Sequence, residues 1–298
     1  MRGPAFVALA AMLWGTVGIA SKVLYGIEDV PPLVVGFFRL GLAVPLLGAW
    51  CWWRLGPATF HFPGRDLLRI LALGVAMAFY QVFYFQSVAE IGVALATLIT
   101  ICSAPVLVGA SAVLVLGEPF SRRLGVALLL GLIGAGLLVG VPTDAGNPLG
   151  ILLAAGAALA YAVFVLCSRT LAHHDPGKII VVGFGSGAAI LAPFAWASGV
   201  QFATWPGSAW AALLYIGLVP TALAYLLYFR GMRDTAATAA SILALVEPLT
   251  ATALAVALFG ENLSLSTMIG AAFLMVAMVT LLRRQDIDKK AVDALGAE

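Results

Sequence analysis

The side chains that could do chemistry in this chain are tyrosines, a few hydroxyls, one carboxylate and one guanidinium, set among apolar residues. Tyr80 and Tyr84 stand four residues apart with Gln81 beside them. Thr221, Tyr225 and Tyr228 follow an i, i+4, i+7 spacing, so each set shares a helical face. Trp14, Tyr161 and Phe164 add aromatic surface, and Thr97 and Ser241 add hydroxyls. None of these is a nucleophile with a base to activate it. Together they suit noncovalent capture of a small amphipath, with rings for its apolar part and hydroxyls for its polar part. A zwitterion with an apolar or aromatic side chain meets that description. The competing role for such rings is anchoring helix ends at a membrane surface, which fits Trp50, Trp52, Trp53, Trp196, Trp205 and Trp210 better. The competing role for the hydroxyls is helix–helix hydrogen bonding.

Glu247 and Arg39 are the charged groups inside apolar runs. A charge at membrane depth costs several kcal/mol and faces a cavity or a partner. Two readings stand for Glu247: a protonatable group that couples transport to a proton gradient or gates it, or a structural group serving backbone atoms freed by Pro248. Arg39 either holds a carboxylate, from substrate or from Glu247, or snorkels outward. Lys22 and Arg169 read as solvated charges at span ends, and Glu118 and Glu261 as caps or loop pairs at the ends of theirs.

The elements that must position these groups are membrane helices. Hydrophobic residues make up 62% of the chain and charged residues 10%, which leaves no polar surface for a soluble domain. A spanning helix needs about 20 mostly apolar residues. Cutting at charges, Pro and Gly predicts ten spans, near 5–24, 32–53, 67–87, 92–116, 124–141, 149–169, 178–198, 209–229, 236–258 and 265–282. With a cytoplasmic N-terminus, all of the 16 basic residues except Lys22 and Arg39 fall on the cytoplasmic side, as Lys/Arg bias requires. Both termini are then cytoplasmic. Pro45, Pro105, Pro193, Pro220 and Pro248 lie within spans and are expected to kink them.

A shift of about 145 residues lays the second half on the first, the signature of an internal repeat. Trp14 falls on Tyr161, Val17 on Phe164, Gln81 on Tyr225, Tyr84 on Tyr228, Pro105 on Pro248 and Glu118 on Glu261. Glu247 falls on Ala104 and is unmatched. Five spans per repeat is odd, so the halves are expected to be inverted in the membrane, an arrangement common in secondary transporters. The predicted organisation is a first repeat over 1–141, an outer connection over 142–148, a second repeat over 149–284 and a cytoplasmic tail over 285–298. Gly125, Gly131, Gly134, Gly136 and Gly140 predict close packing of the fifth span on the tenth, with a dimer through that face as the alternative to a monomer.

Leu245-Val246-Glu247-Pro248-Leu249 with Phe259-Gly260-Glu261, and Ala104-Pro105 with Leu116-Gly117-Glu118-Pro119, resemble the paired signatures of EamA units in the drug/metabolite transporter superfamily. Ala11-Met12-Leu13-Trp14-Gly15 and Phe38-Arg39 resemble the opening helices of that family. The resemblance runs from about residue 5 to 284 and is nearest to the amino-acid exporters of the YddG type. It implies a ten-helix basket with a central cavity, in the inner membrane of a bacterium, exporting small metabolites such as amino acids by alternating access. A nucleotide-sugar, nucleoside or drug carrier of the same superfamily is the runner-up.

An intramembrane enzyme is the reading from another class, and its parts are missing. His61, His173 and His174 fall in loops or at a span end, and the sequence has no H-E-x-x-H, G-x-S-x-G or Walker A pattern. Cys51, Cys102 and Cys167 have no metal or disulfide spacing. The sequence therefore predicts no catalytic residue, no cofactor, no metal and no nucleic-acid partner. The expected partners are a small-molecule substrate and the lipid bilayer.

Overall fold

The computed structural model describes residues 2–140, 147–260 and 264–295, and within them every regular element is helical. The chain runs α1 (Arg2–Tyr25), α2 (Pro32–Gly41), α3 (Ala43–Leu55), α4 (Gly64–Leu116), α5 (Arg122–Val139), α6 (Pro148–Thr170), α7 (Pro176–Ala197), α8 (Gly207–Gly217), α9 (Ala224–Gly231), α10 (Ala237–Leu243), α11 (Val246–Phe259) and α12 (Leu265–Leu295). Eight helical stretches are long and apolar enough to cross a membrane, and Leu265–Thr280 is a shorter apolar one. One of the eight, α4, has 53 residues. As a straight rod it would measure about 80 Å, far more than a bilayer. It is interrupted at Gly92, whose φ of 76° and ψ of 163° only glycine adopts without strain. Glu261, Asn262 and Leu263, with the outer connection over 141–146, lie outside the described residues.

Prolines set the other interruptions. A proline inside a helix has no N–H to donate and its ring crowds the carbonyl four residues back. Pro45 addresses Gly41, where α2 ends. Pro248 addresses Ala244, where α10 gives way to α11. Pro220 addresses Ile216, and there the chain widens into a π-turn over Leu218–Leu223. The freed Ile216 carbonyl accepts a hydrogen bond from the Thr221 hydroxyl at 2.8 Å. The second, eighth and ninth predicted spans are therefore jointed, whereas Pro105 and Pro193 sit inside continuous helix.

Helix α5 packs on α12, as predicted for the fifth and tenth spans, and the close approach is made by Gly134 and Gly270. A Cβ on Gly134 would lie 2.8 Å from the Gly270 carbonyl oxygen, and one on Gly270 2.7 Å from that of Gly134. Elsewhere α4 lies along α6, stitched by Ser87 Oγ donating to the Gly150 carbonyl at 2.8 Å and Thr100 Oγ1 to that of Ala154 at 3.3 Å. These hydroxyls serve helix packing, satisfying backbone acceptors where no water is at hand.

Candidate functional site

A cavity of about 830 Å³ opens between α1, α2, α4, α6 and the α10–α11 joint. Its wall includes Lys22, Tyr25, Pro32 and Val93, so the mouth lies at the end of the bundle where α1 finishes, α2 begins and α4 breaks. Of the predicted site residues, Tyr80, Gln81, Tyr84, Thr97, Tyr161, Ser241, Arg39 and Glu247 all line this cavity. The Tyr80 and Tyr84 rings stack with centroids 6.1 Å apart and 7° between planes, and Tyr161 stands 6.1 Å from Tyr80. Tyr84 Oη and Thr97 Oγ1 share a 2.7 Å hydrogen bond. The polar atoms are not equally free. Gln81 is buried, its Nε2 donating to the Gly36 carbonyl at 3.3 Å, and Ser241 Oγ donates to its own helix at Thr238.

The two charges meet the cavity by different routes. Arg39 comes from α2, and its Nε donates to Thr221 Oγ1 at 3.3 Å, so the π-turn made by Pro220 holds it. Glu247 sits in the first turn of α11, which exists because Pro248 ends α10, and a helix start is a favourable place for an anion. Its side chain is exposed to the cavity, with no hydrogen bond to backbone among the described residues. The Glu247 carboxylate thus faces the cavity, while the Ala244 carbonyl freed by Pro248 accepts from the Glu247 backbone N–H at 2.9 Å. Glu247 and Arg39 form no salt bridge with each other. Gly15 of α1 permits the approach to this joint, since a Cβ there would lie 2.7 Å from the Glu247 carbonyl oxygen.

The remaining predicted site residues, Trp14, Phe164, Tyr225 and Tyr228, do not border the cavity. They pack together below its floor, on the side away from the mouth. Trp14 lies 4.9 Å from Tyr225 and 5.3 Å from Tyr228, and Phe164 stacks on Tyr228 at 5.7 Å. All four are buried, and the indole Nε1 of Trp14 has no hydrogen-bond partner. Beyond this plug the bundle is sealed by polar contacts that sequence reading missed. Arg169 is only partly solvated: its Nη1 donates to the Met232 and Arg233 carbonyls at 2.7 and 3.1 Å. Arg233 returns the grip, donating to the carbonyls of Ala172 at 2.9 Å and His174 at 3.0 Å. Glu118 accepts from the Ala237 and Thr238 amides at 2.8 and 3.3 Å, capping α10 from the other half of the chain. The sealed end also gathers Asp66, His173 and His174, the side chains among the described residues grouped as metal ligands would be. No sequence spacing foretold that group, since Asp66 and His174 are 108 residues apart.

The sequence model of the EamA-like transporter family matches residues 1–140 and again 148–283. The chain belongs to that family. It is 33% identical to the uncharacterized transporter YwfM of Bacillus subtilis, over 93% of this chain and 92% of that protein. It is 27% identical to the uncharacterized inner membrane transporter YicL of Salmonella typhimurium, over 94% and 95%. One crystal structure superposes with a TM-score of 0.80 at 22% identity, covering 94% of this chain and 98% of the other, which shows a shared fold.

Proposed function

We propose that this EamA-like transporter exports amino acids with neutral, apolar or aromatic side chains, as the YddG-type exporters it resembles do. It does so by alternating access, in a bacterial inner membrane. The reading takes ten spans with both termini cytoplasmic, α4 supplying two spans on either side of Gly92. The distribution of Lys and Arg supports that orientation, and it makes the cavity mouth face outward and the aromatic plug inward. The observation that carries the substrate class is the cavity wall. It offers one deep cation, Arg39, and one deep anion, Glu247, with Lys22 at the mouth and Gln81 bonded to Gly36, in a lining otherwise made of aromatic rings, small hydroxyl residues and apolar side chains. A zwitterion satisfies both charges at once, and its side chain is left to the Tyr80–Tyr84–Tyr161 rings. A phosphorylated substrate would ask for a cluster of cations, and among the described residues Arg39 is the only one in the deep wall. No covalent step is required. The substrate exchanges sides when the plug parts and the mouth closes.

Counterflow into proteoliposomes tests this. Vesicles preloaded with unlabelled phenylalanine should accelerate uptake of labelled phenylalanine, methionine or threonine, while phenethylamine and phenylpropionate, which each lack one charge, should compete poorly. Equal competition by the single-charge analogues would refute zwitterion recognition. Silence across the amino-acid panel, from folded protein, would move nucleosides and drug-like cations forward.

A further inference from the structure

We propose that Asp66, His173 and His174 form a binding site for a divalent transition-metal ion of the zinc class, on the sealed end of the bundle. This site is separate from the cavity, and its existence does not depend on what the cavity carries. Asp66 stands in the first turn of α4, in the first half of the chain. His173 and His174 stand in the turn between α6 and α7, in the second half. The fold brings together three groups that no local motif would join.

Their geometry is close to that of a tetrahedral site. Asp66 Oδ2 lies 2.9 Å from His174 Nε2 and 3.4 Å from His173 Nε2, and all three potential ligand atoms fall within 4.8 Å of one another. Around a tetrahedral zinc ion with bonds of about 2.05 Å, ligand atoms stand about 3.3 Å apart. The observed separations bracket that value, so small side-chain rotations admit an ion. Two imidazoles and a carboxylate are the donor set of zinc, cobalt and nickel, not of calcium or magnesium.

The second observation is the outer shell. Ligating imidazoles usually donate their other N–H to a carbonyl, which fixes the tautomer and aims the free lone pair. His173 Nδ1 lies 3.1 Å from the Thr170 carbonyl oxygen, which leaves Nε2 for a metal. Arg69 Nη1 donates to Asp66 Oδ1 at 2.9 Å, so Oδ2 is the oxygen left over. His174 is steadied by the Phe62 ring, edge-on at 5.2 Å, and by Arg233 on its carbonyl. Asp66 is buried while His173 is exposed, which gives the ion a path from solvent and a place for a water as fourth ligand. A hydrogen bond or an ion pair accounts for either histidine on Asp66 alone, and two Nε2 atoms converging on one carboxylate oxygen is the arrangement a shared ion would take.

Chelator-treated protein carrying no histidine tag, titrated with Zn²⁺ by calorimetry and with Co²⁺ by visible absorption, tests the site. The expected result is one saturable ion per chain, a tetrahedral Co²⁺ spectrum, and a rise in melting temperature with Zn²⁺. His173→Ala and His174→Ala should each weaken binding by about tenfold or more, the loss seen even for outer-shell partners. His61→Ala, altering a histidine outside the group, should leave binding unchanged. His173→Ala removes an exposed ring, so it keeps the test valid if His174→Ala or Asp66→Asn fails to fold. Absence of saturable binding, or binding that survives His173→Ala unchanged, would overturn the proposal. So would loss of binding in His61→Ala.

Discussion

Glu118→Ala should loosen the sealed end of the bundle more than any other single truncation of a charged side chain. Glu118 follows the end of α4, and its carboxylate accepts from the Ala237 and Thr238 amides and from Thr238 Oγ1, at 2.8, 3.3 and 3.3 Å. The residue at the N-cap of α10 is Ala236, which has no side chain to take over. Loss of an N-cap acceptor costs about 0.5–2 kcal/mol. Arg169 Nε, 3.8 Å from Glu118 Oε1 and about a third exposed, adds up to about 1 kcal/mol. The sealed arrangement should therefore lose about 0.5–3 kcal/mol, a shift of roughly 2- to 150-fold in the ratio of sealed to parted states. A cysteine at buried Ala11, one turn from Trp14 toward the sealed end, reports that parting once Cys51, Cys102 and Cys167 are replaced. An impermeant thiol reagent applied from the sealed side should label it faster by that factor in Glu118→Ala. Glu118→Gln, which keeps an acceptor oxygen, should fall between. A second reporter at buried Ala127 in α5 should stay protected, since it measures global unfolding. Unchanged labelling at Ala11 would refute the argument that this cap holds the two halves together. Labelling that rises equally at Ala127 would show that the cap holds the fold and not a barrier.

Other outcomes follow from where the structure puts the rings and charges. Trp14→Ala empties the middle of the buried aromatic plug and should cost about 3–5 kcal/mol, seen as lost expression or a sharply lower melting temperature. Tyr84→Phe removes only the hydroxyl bonded to Thr97, so folded protein should persist while apparent substrate affinity falls by up to about tenfold; counterflow titration reads it. Glu247→Gln leaves backbone bonding untouched and should change melting by no more than a surface substitution does, about 0.5 kcal/mol, while weakening uptake of substrates that carry an ammonium group. Gly134→Leu drives a side chain into the Gly270 backbone and should destabilise by about 1–3 kcal/mol or more, read from thermal melts in detergent.

Much of this was legible in the chain and some could not be. Apolar runs and turn residues pointed to an all-helical chain with helices long enough to cross a membrane, and the glycines of α5 named its partner in α12. Helical spacing also put Tyr80 and Tyr84 on one face, and the structure turns that face to the cavity. The same spacing treated Trp14, Tyr225 and Tyr228 alike, yet they lie below the floor. Periodicity assigns a residue to a stripe, and a stripe running the length of a span passes through both a cavity and a barrier. Which turn of the helix belongs to which depends on how the halves are tilted, and no local pattern encodes tilt. The Arg169–Arg233 clamp, the Glu118 cap and the Asp66–His174 contact were hidden for another reason. Each joins residues about 60 to 120 apart, through loops whose sequences carry only generic signals for turns.

The prolines bring sequence and conformation to the same point. Pro105 and Pro248 occupy matching positions in the repeat, yet α4 passes through Pro105 unbroken while α10 and α11 part four residues before Pro248. The same chemistry acts at both sites, so the difference lies in the surroundings. The α10 side has Glu118 pulling on the amides at its start, while the matching stretch of α4 begins at Gly92, beside the cavity mouth. Under the proposed alternating access, the two proline positions are where the halves would exchange these conformations. In this arrangement Ala244 and Leu245 of the joint line the cavity together with Glu247, so the break in the helix and the exposed carboxylate are adjacent. If the proposed alternating access straightens this joint, the position of the Glu247 charge changes with it, which ties the carboxylate to the movement of the helix.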